Sequence, residues 1–249
     1  ECRELFGEIY EQIPELPFCN IWTAMQLSSR LPKGALFHMG VSNTRRCWNM
    51  FQLPESVESA CNVGCCGIDG CVSTLVGASL VNPDRLCYVV VGDLTFFYDL
   101  NSLGNHHIGT NLRVMLVNNG RGTEFRLGIH HCNVFGDDAD KYMAAAGHFG
   151  NKSPLLVKHY AEDLGFHYLS ATTKEEFMTA LSNFTNPQLS DHSMILEVFT
   201  DSKDESEALY LMSHIQSDAK GMVRSKLKDA VRNVAGEKGI NAIKKILKK

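Results

Sequence analysis

Apolar positions along the chain fall into two alternating kinds of segment. Leu86 to Val91 (LCYVVV), Leu112 to Val117 (LRVMLV) and Met194 to Phe199 (MILEVF) are nearly unbroken apolar runs, the pattern of strands buried on both faces. Ala35 to Met39 reads as a further strand ending at Gly40, Val57 to Cys61 as a weaker one and Phe166 to Leu169 as a short one. Between them lie amphipathic stretches. Ser42 can cap a helix running to about Met50, because its hydroxyl oxygen can accept an orphan N–H. Asp69, after the Gly67-Ile68 turn, is placed to start a helix through Leu80, and further helices are expected over Phe96–Leu103, Pro154–Leu164 and Lys174–Leu181. Parallel strands need crossovers, so this alternation predicts a three-layer α/β fold: a mostly parallel sheet with helices on both faces. In such sheets ligands bind at the carboxyl ends of the strands.

Composition narrows the picture modestly. The 249 residues are 44% hydrophobic and 21% charged, with a formal net charge of −4, which gives no support to bulk nucleic-acid binding. No apolar stretch approaches the ~18 residues of a membrane span, and the start lacks the n-region and h-region of a signal peptide. Nine cysteines are an odd number in a chain too large for a disulfide scaffold. Cys61, Cys65, Cys66 and Cys71 lack the paired C-x-x-C spacing of structural zinc sites. They read as reduced, buried thiols of a cytoplasmic protein. Residues 1–17, broken by Pro14 and Pro17, are expected to end a preceding linker or domain, residues 18–200 to form the α/β domain, and residues 201–249 a helical, basic tail. The Glu1 start points to a processed chain or a fragment.

The chemistry is carried by Gly92-Asp93-Leu94-Thr95 at the end of one buried run and Asn118-Asn119 at the end of the next. The interval holds one helix and one strand, so Asp93 and Asn119 should emerge at the same edge of the sheet. A carboxylate, an amide oxygen and a loop carbonyl are hard ligands suited to Mg²⁺, which commonly also binds phosphate. Gly92 lets backbone approach phosphate closely, and a helix starting near Leu94 would aim its N–H groups there.

A Gly-Asp-x start and an Asn-Asn end at this spacing resemble the fingerprint of the thiamine diphosphate (ThDP) enzymes of the pyruvate decarboxylase and acetolactate synthase superfamily. Gly67-Ile68-Asp69-Gly70 with Ser73-Thr74, Gly92-Asp93-Leu94-Thr95-Phe96 continuing into Tyr98-Asp99-Leu100-Asn101, and Val117-Asn118-Asn119 are similar to one branch, the menaquinone-pathway synthases. The resemblance covers about Leu31 to Phe199 and implies a ThDP-binding fold. It implies that Asp93, the Asn119 side chain and the Arg121 carbonyl bind Mg²⁺. Gly40, Ser42, Gly92, Leu94 and Thr95 would meet the diphosphate. The Cys66 carbonyl would hold the aminopyrimidine beside Gly67, with Ile68 as the wedge that bends the cofactor. Arg46 would bind an acidic substrate. Where the branch has a second substrate arginine this chain has Val63, a side chain that cannot pair with a carboxylate.

The resemblance also implies an activating glutamate from a separate pyrimidine-binding domain, on the same or another chain of a dimer or tetramer. The catalytic glutamate is therefore expected outside this sequence, either in a chain of ~550 residues or in a split enzyme. Three functions stay open: joining 2-oxoglutarate to isochorismate, a related decarboxylase or carboligase using another 2-oxo acid, or a non-catalytic nucleotide- or partner-binding module. His106-His107 and His130-His131 read as polar loop residues, because neighbours on a strand point to opposite faces. His130 or His131 is a candidate for substrate contact. Glu124 and Arg126 read as a loop ion pair near the mouth of the site. The tail's Ile240, Ile243, Ile246 and Leu247 fit one helical face ringed by lysines.

Overall fold

A computed structural model describes residue 7 and residues 9–127, 130–142 and 152–215 of the chain. The basic tail from Lys220 lies outside the described residues. Six strands form one sheet: β1 (Leu36–Met39), β2 (Glu58–Cys61), β3 (Cys87–Gly92), β4 (Leu112–Asn118), β5 (His167–Ala171) and β6 (Met194–Phe199). Their order is β2-β1-β3-β4-β6-β5, and every pairing is parallel. Each strand falls within two residues of the run that predicted it.

The period-2 alternation of the central strands sends successive side chains into two cores. Tyr88, Val90, Met115, Val117, Leu196 and Val198 face one layer. That layer holds α1 (Asn20–Ser28), α2 (Asn43–Trp48), α7 (Lys174–Phe184) and α8 (Ser202–Ser213). Val89, Val91, Val114, Leu116 and Ile195 face the other, made of α3 (Cys71–Val81), α4 (Asp93–Tyr98) and α6 (Leu156–Asp163). A short α5 (Ala139–Tyr142) lies between β4 and α6 in the chain. The architecture is three-layer α/β with an all-parallel sheet.

The connection after β1 runs outward to β2, whereas the connection after β3 runs the other way to β4. β1 and β3 therefore flank a topological switch point, where crossovers diverge and leave a crevice at the strands' carboxyl ends. The two strands close tightly there: the Gly40 N–H donates to the Val90 carbonyl at 2.7 Å. A Cβ on Gly40 would lie 3.1 Å from that carbonyl oxygen and 3.3 Å from Val91 Cα, so glycine is required by backbone proximity.

Local chemistry departs from the sequence expectations in four places. Ser42 is the N-cap residue of α2, but with φ 58° and ψ −123° its side chain makes no capping hydrogen bond. The helix after Asp69 begins at Cys71, with Gly70 at φ 87° as its N-cap. The helix expected over Phe96–Leu103 starts earlier, at Asp93, and breaks at Asp99 into a 3₁₀ turn, Leu100–Gly104. The reason is that Asp99 turns its carboxylate to α3, accepting from the Ser73 N–H at 2.7 Å and the Ser73 hydroxyl at 3.0 Å. The thiols are not uniformly buried either: Cys19, Cys47, Cys71 and Cys87 are, but Cys65 and Cys66 are exposed in the turn before α3.

α1 was not anticipated, and α8 falls within the stretch expected to be a helical tail. α1 buries Ile21, Ala24 and Leu27, and α8 buries Ala208, Leu209 and Met212. α8 is capped by Asp201, whose carboxylate accepts from the N–H groups of Lys203 and Asp204. It also carries Glu205 into the core. One oxygen of Glu205 accepts from the Asn20 N–H at 3.0 Å and from the Thr200 hydroxyl at 2.7 Å; the other is buried without a hydrogen-bond partner.

Burial, reinforced by the nearby negative charges of Asp204 and Asp93, pushes the Glu205 carboxyl up to about 7 despite those two donors. The unfolded chain releases this proton near the ordinary carboxylate value, so between that value and about 7 the folded protein holds more protons. Stability should therefore fall as pH rises through this window, by roughly 3 kcal/mol, and level off above it. Glu205→Gln keeps the acceptor oxygen and removes the charge. Urea unfolding should find the variant more stable than the parent at pH 8 and nearly equal to it at pH 5; parallel pH dependences would contradict this.

Candidate functional site

Three strand ends converge on the switch-point crevice. After Gly40, the chain turns through Val41 and Ser42 into α2; Ser42 takes a positive φ that few non-glycine residues adopt. β3 ends at Gly92 and α4 begins immediately at Asp93. β4 ends at Asn118, and Asn119 leads through Gly120, φ 81°, into the 3₁₀ turn Thr123–Arg126. The cavity so formed, about 150 Å³, is lined among others by Ser42, Ile68, Gly92, Asp93, Leu94 and Thr95 and, across it, by Asn119 and Arg121.

Several of its lining residues carry side-chain oxygens. Asp93 is 2% exposed, and its Oδ1 accepts from the Leu94 N–H at 3.0 Å. Asn119 Oδ1 accepts from the Arg121 N–H at 3.3 Å, and the Arg121 carbonyl accepts from the Thr123 N–H at 3.0 Å. Asn43 Oδ1 and Thr123 Oγ1, both on cavity-lining residues, are buried without a hydrogen-bond partner, as is Asn118 Oδ1. Buried polar atoms in that condition are the ones a bound polar group can satisfy. Among the described residues no three His, Cys, Asp or Glu side chains gather as a metal cluster; this oxygen set contains one carboxylate, with amide and carbonyl oxygens around it.

Behind the floor lies a second buried carboxylate. Asn118 on β4 reaches diagonally to Glu197 on β6, whose register partner is Leu116, and the Asn118 amide donates to Glu197 Oε1 at 2.7 Å. The Tyr168 hydroxyl on β5 donates to Oε2 at 2.7 Å. Glu197 is 1% exposed. Burial raises its proton affinity, the charge of Asp93 adds to the rise, and the donors from Asn118 and Tyr168 oppose it. Tyr168 is in turn pushed up, by burial first and by its bond to the Glu197 carboxylate second. On the other face, Asn20 lines the cavity and its Oδ1 accepts from the Trp48 indole N–H at 2.9 Å, which ties α1 to α2.

Of the twelve residues assigned to cofactor, metal or substrate, eight line one cavity: Ser42, Ile68, Gly92, Asp93, Leu94, Thr95, Asn119 and Arg121. Four do not line it. Gly40 lies at the strand contact beneath it, and Cys66 and Gly67 form the turn leading to Ile68, where Cys66 has φ 52°. Arg46 sits one helical turn beyond Ser42 and pairs with Glu124, which does line the cavity. The His106 and His107 rings stack 3.9 Å apart, and His106 opens on a separate hollow shared with Asp191 and His192. His130 uses Nδ1 to accept from the Cys132 N–H at 3.1 Å; neither His130 nor His131 lines the site cavity. Sequence reasoning missed Asn20, Asn43, Thr123 and Phe125. The last two follow the Asn-Asn pair closely enough to have been included; Asn20 carries no local signal.

No protein-family model matches the chain. It is similar to curated proteins named 2-succinyl-5-enolpyruvyl-6-hydroxy-3-cyclohexene-1-carboxylate (SEPHCHC) synthase. With that of Bacteroides fragilis it is 34% identical over 196 residues, 79% of this chain and 34% of the relative. With that of Phocaeicola vulgatus it is 34% identical over 200 residues, again 79% of this chain and 34% of the relative. The relative from Christiangramia forsetii is 33% identical over 199 residues, 80% of this chain and 33% of its own length. The chain thus spans about a third of the length of the curated relatives it matches.

Tyr168→Phe tests the buried carboxylate. With one donor gone, the Glu197 carboxylate is less well satisfied, so the variant should lose about 1–3 kcal/mol of stability. The loss should grow as pH rises, because the charged form of Glu197, whose proton affinity burial raises, misses the donor most. Urea titration across a pH series measures it, and a pH-independent loss would contradict this.

Proposed function

Because the chain resembles the SEPHCHC synthases in sequence, we propose that it is the diphosphate- and Mg²⁺-binding part of a ThDP-dependent 2-oxo acid decarboxylase or carboligase. The observation that carries this reading is the convergence of Asp93, Asn119 and Arg121 on one switch-point cavity. The donor set fits the group. One carboxylate with neutral amide and carbonyl oxygens suits Mg²⁺, which keeps few protein ligands and takes the rest from phosphate and water. Unpartnered Asn43 Oδ1 and Thr123 Oγ1 beside it leave polar capacity for a bound ligand.

In this reading Asp93, Asn119 and the Arg121 carbonyl hold Mg²⁺. Gly40, Ser42, Gly92, Leu94 and Thr95 receive the diphosphate, with Gly92 offering backbone that no side chain obstructs: a Cβ there would meet nothing within 4 Å. The Cys66 carbonyl, Gly67 and Ile68 face the pyrimidine side, and Arg46 the substrate. The chemistry supplied by bound ThDP is stabilisation of the carbanion left when a 2-oxo acid loses CO₂. This chain's own residues bind and orient. Apolar Ile68, Leu94 and Phe125 restrict water at the reacting end, which strengthens every charge interaction there.

A cavity of about 150 Å³ is smaller than the several hundred Å³ typical of a cofactor site. Together with the chain's one-third coverage of its relatives, this supports a site completed by a pyrimidine-binding domain of the same or another chain, which would bring the activating glutamate. Residues 18–200 would form the diphosphate-binding domain, residues 1–17 the end of a preceding segment and residues 201–249 a helical extension, in a cytoplasmic dimer or tetramer. The 2-oxo acid is open to direct test: 2-oxoglutarate with isochorismate is the substrate pair this reading puts first, and a different 2-oxo acid the second.

The test is ThDP binding by the full-length protein, followed by calorimetry with and without Mg²⁺. Asp93→Ala should weaken Mg²⁺-dependent binding by at least ~100-fold, since removing even a residue behind a metal ligand commonly costs 10–100-fold. Binding that survives both the substitution and chelation of Mg²⁺ would overturn the reading and favour a non-catalytic ligand-binding module.

A further inference from the structure

The segment between β2 and α3 gathers thiols that the cofactor-binding reading leaves unused. Cys61 ends β2, Cys71 opens α3, and Cys65 and Cys66 stand between them. The two ends of the segment are tied to each other. The Asn62 amide donates to the Gly70 carbonyl at 3.1 Å and to the Thr74 hydroxyl at 3.0 Å. The stretch from Val63 to Cys66 is instead exposed, and a Cβ on Gly64 would meet nothing within 4 Å. Two local bonds fold this stretch back on Cys61. The Val63 N–H donates to the Cys61 carbonyl at 2.9 Å, and Cys66 Sγ donates to the Val63 carbonyl at 3.2 Å. Cys66 reaches that position with φ 52°. Cys61 is half-buried, with its Sγ donating to the Gly40 carbonyl at 3.7 Å.

The two sulfurs differ in the way a two-cysteine oxidation requires. Cys66 is open to solvent, where a dissolved oxidant meets it first. Cys61 is sheltered: burial pushes its thiol up, the Arg45 guanidinium opposes this, and the charge of Cys66 adds to the rise. Cys71 is buried outright and out of reach of an oxidant. We propose that Cys66 is an oxidant-modification site that takes peroxides and passes to a disulfide with Cys61. In the first step the Cys66 sulfur attacks the peroxide and the O–O bond breaks. One oxygen stays on sulfur as a sulfenic acid and the other leaves as water or an alcohol. The Cys61 sulfur then displaces the hydroxyl, so an S–S bond forms, the S–O bond breaks and water carries off the thiol proton. Two electrons pass from the sulfurs to the peroxide, and exchange with a dithiol returns them. Ile68, which lines the cavity, follows Cys66 by two residues. Drawing Cys66 onto Cys61 therefore pulls on the cavity wall, and, on the proposed reading of that cavity, lowers its hold on ThDP.

The experiment treats the reduced full-length protein with hydrogen peroxide and maps its thiols. Free thiols are blocked with iodoacetamide in denaturant, disulfides are then reduced, and the released thiols are labelled with N-ethylmaleimide for tandem mass spectrometry. Maleimide should appear on Cys61 and Cys66 together, with Cys65 and Cys71 carrying the first label. In Cys61→Ser the reaction should stop at the sulfenic acid, so dimedone should mark Cys66 several-fold more than in the parent. ThDP binding in the presence of Mg²⁺, followed by calorimetry, should be lost on oxidation and regained with dithiothreitol. Cys61 left free after oxidation, a disulfide between Cys65 and Cys66 instead, or equal dimedone labelling in parent and variant overturns the proposal. Mapping the parent needs no substitution, so the test stands even where Cys61→Ser fails to fold. If the reduced protein binds no ThDP the proposed function fails, while the mapping still decides whether Cys66 is oxidised onto Cys61.

Discussion

The close backbone contact of Gly40 with Val90 is the constraint from which the site follows. Parallel pairing of β1 and β3 at this contact brings two strand ends level, and the crossovers leaving them diverge in opposite directions. A crevice has to open between the diverging chains, because neither helix covers the strand ends. Asp93 stands one residue past β3 and Ser42 three past β1, so both are delivered to its rim close to the strand ends. A side chain at position 40 would push β1 off β3 and separate these two residues.

Negative charge is concentrated around that crevice to an unusual degree. Asp93 stands on its floor, Glu197 behind it on one face of the sheet and Glu205 behind it on the other, all nearly or wholly buried. Asp93 raises the proton affinity of both glutamates. Each is held by neutral donors only: an amide and a phenol for Glu197, a backbone N–H and a threonine hydroxyl for Glu205. Buried carboxylates so arranged are costly, and both glutamates hold their protons more tightly than free carboxyls do. At Arg46 and Glu124 the carboxylate is instead paired with a guanidinium.

Much of this was legible in the residues because the signals are local. Apolar runs such as LCYVVV can only be strands covered on both faces, and the spacing of Asp93 and Asn119 allows one helix and one strand between them. The fate of Asp99 was not legible. Its helix-breaking turn depends on Ser73, on a helix that precedes it by a whole strand. Nor was the anchoring role of Glu205 on α8, which looks like an ordinary surface acid until Asn20 and Thr200 are brought to it. Glu124 and Arg46 were each visible, as a loop acid and as a candidate substrate arginine, yet nothing in their positions joined them.

The sequence by itself determined the α/β class, the strands and the oxygen donors at two strand ends, because periodicity and short motifs act over a few residues along the chain. Only the tertiary structure decided the strand order, the switch point, the burial of Glu197 and Glu205 and the pairing of Arg46 with Glu124. The physical reason is the same in each case. Desolvation and charge pairing depend on what surrounds a group in space, and those neighbours come from elements that lie far apart in the chain.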